Sequence, residues 1–178
     1  MSHMRFQKLP RSLLAITRSH QLLERVADAV SRQVEGPRGP DPERLVALPI
    51  SARTIYWLWH FQCEAGICGM DVFVLNHVGI NSPEIHTALR ELGANELARL
   101  VEEAVALARD GPAEFKRLSD QSWFEQFAPS GEFAGLDALN GSTFRLTEAL
   151  TDLAENYIRS HEAELFEHEL PAPDHPRR

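Results

Sequence analysis

Residues 19–34 read SHQLLERVADAVSRQV. Leu22, Leu23, Val26, Ala27, Val30 and Val34 recur there at steps of three and four, the spacing of a single buried stripe on an α-helix. Ser19 is expected to N-cap this helix, its hydroxyl accepting a hydrogen bond from an otherwise unsatisfied N–H of the first turn. The same periodicity recurs along the chain, and no stretch alternates between apolar and polar residues as a half-buried strand does. The fold class read from this pattern is all-α.

Downstream of the stripe, residues 35–42 read EGPRGPDP. Proline and glycine at this density cannot continue a helix. Residues 36–42 are therefore expected to link an N-terminal helical segment, 5–35, to a single compact multi-helix domain over 43–170. Residues 1–4, Met-Ser-His-Met, read as a cloning scar followed by the native Met4. The proline-rich residues 171–178 are expected to be a disordered tail.

From Ile50 to Cys68 the chain is at its most aromatic, with Tyr56, Trp57, Trp59 and Phe61. Ser51 is the expected cap, and Ile55, Leu58, Trp59 and Gln62 share a helical face. Met70–Leu75 is short and apolar, so strand and helix both fit it. Asn76-His77-Val78-Gly79 reads as a turn. Ser82-Pro83 is a helix start, with serine as cap and proline at the first helical position. Gly93 is the expected stop. A further helix runs from Asn95 to Asp110, where Gly111-Pro112 ends it. Residues 113–128 suggest one or two short helices, with Phe115, Leu118, Trp123, Phe124 and Phe127. Residues 129–141 look like a loop with Gly131, Gly135 and Gly141. The last helix is expected to begin near Ser142 or Thr143 and to run towards His168.

The composition is that of an ordinary globular chain: 178 residues, 43% hydrophobic and 25% charged. Its core needs neither disulfides nor metal to fold. The net charge of -8 argues against direct nucleic-acid binding through bulk charge. That charge is unevenly placed. Residues 1–50 carry 8 basic and 5 acidic side chains, a local +3; residues 51–110 carry 4 and 8, a local -4; residues 111–178 carry 6 and 13, a local -7. Two cysteines, Cys63 and Cys68, five apart on a helix, do not face one another. With no signal peptide and no apolar run of membrane-spanning length, the chain is expected to be cytoplasmic and off the membrane.

Catalytic and metal-binding patterns are missing. His60, Cys63, Cys68 and His77 lie close in sequence, but neither paired C-x-x-C elbows nor H-E-x-x-H is present, so no metal site is expected. Nothing near Cys63 or Cys68 would lower a thiol pKa, and Glu64 acts the other way. There is no G-x-S-x-G elbow and no phosphate-cradling glycine loop. No cofactor is called for.

The acids are more informative. Glu148, Asp152, Glu155, Glu162 and Glu169 stay near one face of the last helix at steps of three, four and seven, interrupted by Arg159. An acid-rich helix surface is ordinarily just solvated, and like charges at i,i+4 cost it a few tenths of a kcal/mol per pair. Yet acids one turn apart are spaced by about 5.4 Å, against about 3.4 Å per charge along one DNA strand. Acidic helices side by side could thus approach the charge density of a duplex edge. Such a surface attracts the basic face of a DNA-binding protein.

One series of motifs bears on that reading. Residues 64–79 read EAGICGMDVFVLNHVG; Leu89–Ala94 and Ala98–Ala104 follow, then Leu136–Leu139, Phe144 and Leu150–Ile158. This order resembles the DNA-mimic-protein family of small bacterial helical proteins, over roughly residues 50–168. The family's Asn-Gly-Gly-Phe core is degenerate here: Ile67-Cys68-Gly69-Met70 stands in its place, and only Gly69 survives. Asn76 and Gly79 match, with His77 where serine is usual. Gly69, Asn76, Gly79 and Gly93 are read as structural, serving tight turns. The resemblance implies an all-helical, often dimeric fold and, for the family's namesake, a role occupying the DNA-binding face of a transcription factor.

The expected function is therefore a non-enzymatic protein binding a basic protein partner, with DNA mimicry as its finer form. Glu148, Asp152, Glu155, Glu162, Glu102 and Glu103 are the candidate contacts. Two other classes fit less of the sequence. One is an immunity or antitoxin-like inhibitor of a toxin; the other is a small-molecule or metal-dependent enzyme around His60, Cys63 and His77.

Overall fold

A computed structural model describes residues 6–36, 39–77, 82–110 and 134–167. The expectations placed on 113–128, on Gly79, on Glu169 and on the tail fall outside these residues. The fold is all-α. After a 3₁₀ turn at Arg11–Ala15 come α1 (Ser19–Val34), α2 (Pro42–Ala47), α3 (Ile50–Glu64), α4 (Met70–His77), α5 (Ser82–Glu91), α6 (Asn95–Asp110), α7 (Ala134–Ser160) and α8 (Glu162–Leu165).

The stripe of α1 is buried at all six positions. It packs on α3 and α7, α3 packs on α5, and α6 lies between α5 and α7. One core cluster joins α1 to the later helices and includes Phe61, Phe73, Leu89, Leu150 and Ile158. Phe61 and Phe73 meet edge-on with ring centres 5.3 Å apart, the arrangement favoured by the aromatic quadrupole. After α1 the chain doubles back: Glu35 pairs with Pro40 and Gly36 with Gly39 in a two-residue antiparallel ladder. Asp41 then caps α2, accepting from the Glu43 and Arg44 N–H groups at 3.0 and 3.4 Å.

Several local expectations are corrected. Ser19 is the first residue of α1 rather than its cap. Its hydroxyl donates to the Glu155 carboxylate of α7, a charged acceptor that outcompetes a backbone partner. Ser51 likewise lies inside α3, which follows Pro49, and its hydroxyl is buried with no hydrogen-bond partner among the described residues. The apolar Met70–Leu75 run is helical, and α4 continues through Asn76 and His77, where a turn was expected.

The largest correction concerns α7. It begins at Ala134, well before Ser142, and takes in Gly135 and Gly141. Glycine inside a helix costs about 1 kcal/mol relative to alanine. Tertiary packing offsets that cost: Leu136 and Leu139 are buried, and Gly135 lies against the Leu107 side chain of α6. At the other end α7 stops at Ser160 and does not run to His168; α8 follows after His161.

The glycine at the end of α5 behaves as expected. Gly93 has φ +79°. Its N–H donates to Arg90 O, and the Ala94 N–H donates to Leu89 O, both at 2.9 Å. This paired closure is a Schellman motif, which favours glycine at the left-handed position.

Candidate interaction surface

The surviving glycine of the degenerate core organises the start of α4. Gly69 has φ +111°, and its carbonyl accepts from the Phe73 N–H at 3.1 Å. Asn140, from the part of α7 read as a loop, accepts the Met70 N–H through Oδ1 at 2.7 Å. A distant side chain thus supplies the cap that the local sequence lacks. A Cβ on Gly69 would fall 2.6 Å from Asp71 Oδ1 and 3.1 Å from Asn140 Nδ2.

The six candidate acids divide by what already holds them. Glu103 pairs with Arg99 at 2.8 Å, one turn back on α6. Glu155 pairs with Arg159 at 2.8 Å and also accepts from Ser19. The Ser19 hydrogen bond, and then the Arg159 guanidinium, hold the Glu155 carboxyl below its ordinary range. Glu162 on α8 pairs with Arg11 of the N-terminal segment. Glu102 lies 2.7 Å from His86 Nε2, which turns it towards α5. Glu148 and Asp152 are exposed on α7 and take no ion pair among the described residues. Arg145 and Arg159 bound this exposed ridge. Among the described residues the helix therefore displays two uncommitted acids rather than an unbroken row.

Beside Glu148 runs an open groove of about 400 Å³ between the end of α3 and the middle of α7. Its wall includes Ile67, 72% exposed, and Phe144, 39% exposed. Exposed apolar side chains of this size thus adjoin the Glu148 carboxylate along the groove.

The aromatic region of α3 is packed as core. His60 meets Tyr56 at a tilt of 54° with ring centres 4.5 Å apart, and burial pushes the Tyr56 hydroxyl up. Burial, followed by the Glu64 charge, also pushes the Cys63 thiol up, away from nucleophilic reactivity. Cys68 is exposed. Among the described residues no group of three or more His, Cys, Asp and Glu is placed to hold a metal. No described helix is long and apolar enough to cross a membrane.

Sequence reasoning missed Asn140, Ser19 and Arg11 as organisers of this surface. The i,i+4 spacing of Glu155 and Arg159 was visible in the sequence. The partners of Asn140 and Arg11 lie far along the chain and carry no local signal.

These features define an all-α bundle that displays ionisable groups on the outer faces of its long helices. The DMP19-like protein family matches residues 46–161, and the chain belongs to that family. No curated protein matches the chain. No solved structure matches it either. The matched span begins within α2 and ends at His161, so the N-terminal segment and α1 lie before it.

Proposed function

We propose that the chain is a non-enzymatic, cytoplasmic interaction protein that presents carboxylates to a basic protein partner, and that it does so by standing in for DNA on a DNA-binding protein. Membership of the DMP19-like family carries this reading. Support on the surface comes from Glu148 and Asp152, exposed and outside any ion pair among the described residues, with Glu102 and Glu103 on the adjacent α6. Glu155 and Glu162 contribute only where their intramolecular arginines release them. The same reading takes the working unit to be a homodimer, which light scattering of the purified chain checks.

The test is capture of proteins from a bacterial lysate at low ionic strength on the immobilised chain, with and without Glu148→Lys and Asp152→Lys. A DNA-binding protein should be recovered, displaced by duplex DNA and by salt. The double reversal should weaken it about tenfold, as for two exposed charge contacts near 0.7 kcal/mol each. Recovery of no basic protein, or of one indifferent to ionic strength and to the reversal, would refute the reading.

A further inference from the structure

Residues 6–16 lie as a strap over α8 and the end of α7. The Leu9 N–H donates to Leu165 O at 2.8 Å, and the Glu167 N–H donates to Leu9 O at 3.0 Å. Leu9 and Phe166 thereby form a single parallel bridge, and both side chains are buried. A cation stands on either side of Leu9. Lys8 Nζ donates to Ala163 O at 2.6 Å, and Arg11 pairs with Glu162. Further along, Arg159 donates to the carbonyls of Leu14 and Ile16 at 3.3 and 3.1 Å. Through Glu155 the same arginine is tied to Ser19 at the start of α1.

These are the contacts by which proteins bind extended peptides: main-chain bonds along one edge, an apolar anchor, and a cation held on either side, one by a carbonyl and one by a carboxylate. The ligand here belongs to the chain itself. We infer that residues 6–16 are a displaceable strap, filling in cis a site that takes an extended Lys- and Arg-bearing segment of the basic partner. The inference rests on the proposed function. It adds where the partner's segment sits and what it must displace.

Three observations support displacement. The 3₁₀ turn within the strap fully buries none of its residues, so Leu9 is the one fully buried anchor along residues 6–16; Phe6, Leu13, Leu14 and Ile16 pack on the core only partly buried, and Gln7 exchanges two exposed hydrogen bonds with Gln33 of α1. The strap's ionic contact at Arg11 is half-exposed, a kind of pair that contributes little to stability. The strap and its seat at residues 162–167 both lie outside the family-matched span, and Glu155 and Arg159, which tie its far end, lie inside it. Arg11, from the basic residues 1–50, and Glu162, from the acidic residues 111–178, meet at this contact.

The experiment measures anisotropy of a fluorescein-labelled deca-arginine peptide with the full chain at low ionic strength. Lys8→Ala with Arg11→Ala leaves Leu9 and the core untouched. Arg25→Ala with Arg90→Ala removes the same charge from exposed positions elsewhere. The strap pair should tighten peptide binding about fivefold, as expected from the loss of one partly exposed ion pair and one hydrogen bond to a carbonyl. The control pair should change it much less. In the wild-type chain, saturating peptide should speed hydrogen exchange at the Leu9 amide, which leaves with the strap, while the Glu167 amide stays protected by a peptide carbonyl. Equal tightening by both pairs, or unchanged exchange at the Leu9 amide with peptide bound, overturns the strap. The proposed function still stands in that case if Glu148→Lys with Asp152→Lys weakens the same binding. Failure of the peptide to bind any variant overturns both.

Discussion

Gly69→Ala tests how the start of α4 is built. At φ +111° an alanine is strained whatever the surrounding space, and a non-glycine residue held in such a region costs about 1–3 kcal/mol. The added Cβ would also stand 3.1 Å from Asn140 Nδ2 and 3.2 Å from Asn140 Oδ1, the atom that accepts the Met70 N–H. Displacing that amide forfeits a cap worth about 1 kcal/mol. Together the expected loss is about 2–4 kcal/mol, or a fall in Tm of roughly 5–12 °C for a domain of this size. Gly39→Ala separates the two contributions. Gly39 has nearly the same φ, +108°, but a Cβ there meets nothing within 4 Å. It should cost only the backbone strain. Asn140→Ala removes the cap without the strain, and since both changes break one hydrogen bond, their combined loss should fall short of the sum by about 1 kcal/mol. Urea unfolding of the four proteins and the double variant measures all of these differences. Gly69→Ala no worse than Gly39→Ala, or strict additivity with Asn140→Ala, would refute the link between Gly69 and Asn140.

The lowered Glu155 pKa sets a pH dependence. An acid whose folded pKa lies below its unfolded value near 4.5 stabilises the fold above that pH and loses the contribution as pH falls through the folded value. Glu155→Gln should therefore bring the urea midpoint below that of the wild type at pH 6, with the gap closing under acid; a gap that stays constant to pH 3 would exclude Glu155 as its source. The two cysteines should also separate. Iodoacetamide at mildly alkaline pH should label the exposed Cys68 before Cys63, whose thiol burial pushes up, and mass spectrometry of partially labelled chains reads the order directly.

The helices whose limits could be read from the sequence are those whose signals are local. The α1 stripe contains its own period, and α5 carries its Ser82-Pro83 start and its Gly93 stop, although Ser82 is the first residue of the helix rather than the residue before it and Pro83 is the second. The start of α7 was illegible because Gly135 and Gly141 speak against a helix by propensity. What holds them is remote: Leu107 against one, and the burial of Leu136 and Leu139 along the same turns. Ser19 and Ser51 failed as caps for a related reason. A serine that satisfies the cap pattern is also free to take a tertiary role, and Ser19 finds a carboxylate 136 residues away. For the surface, the sequence placed acids on one helix but not their neutralisation. Glu155 and Glu162 differ from Glu148 and Asp152 only because Arg11, Ser19 and Arg159 converge on one end of α7.

That convergence bears on how ionic strength acts. A partner held through Glu148 and Asp152 depends on exposed charges, and salt screens those beyond a Debye length of about 8 Å at physiological strength. The strap's ionic contacts are screened too. Its two backbone hydrogen bonds and the buried Leu9 and Phe166 side chains are not, because apolar burial does not weaken with added salt as ion pairs do. Raising salt therefore weakens the charged competitor more than the segment it must displace, and the closed chain gains on the complex. A partner that carries an apolar side chain between its cations, as Leu9 stands between Lys8 and Arg11, escapes part of this penalty. Under the proposed function, the surface then selects among basic proteins by the spacing of an anchor as well as by charge, which net charge alone cannot do.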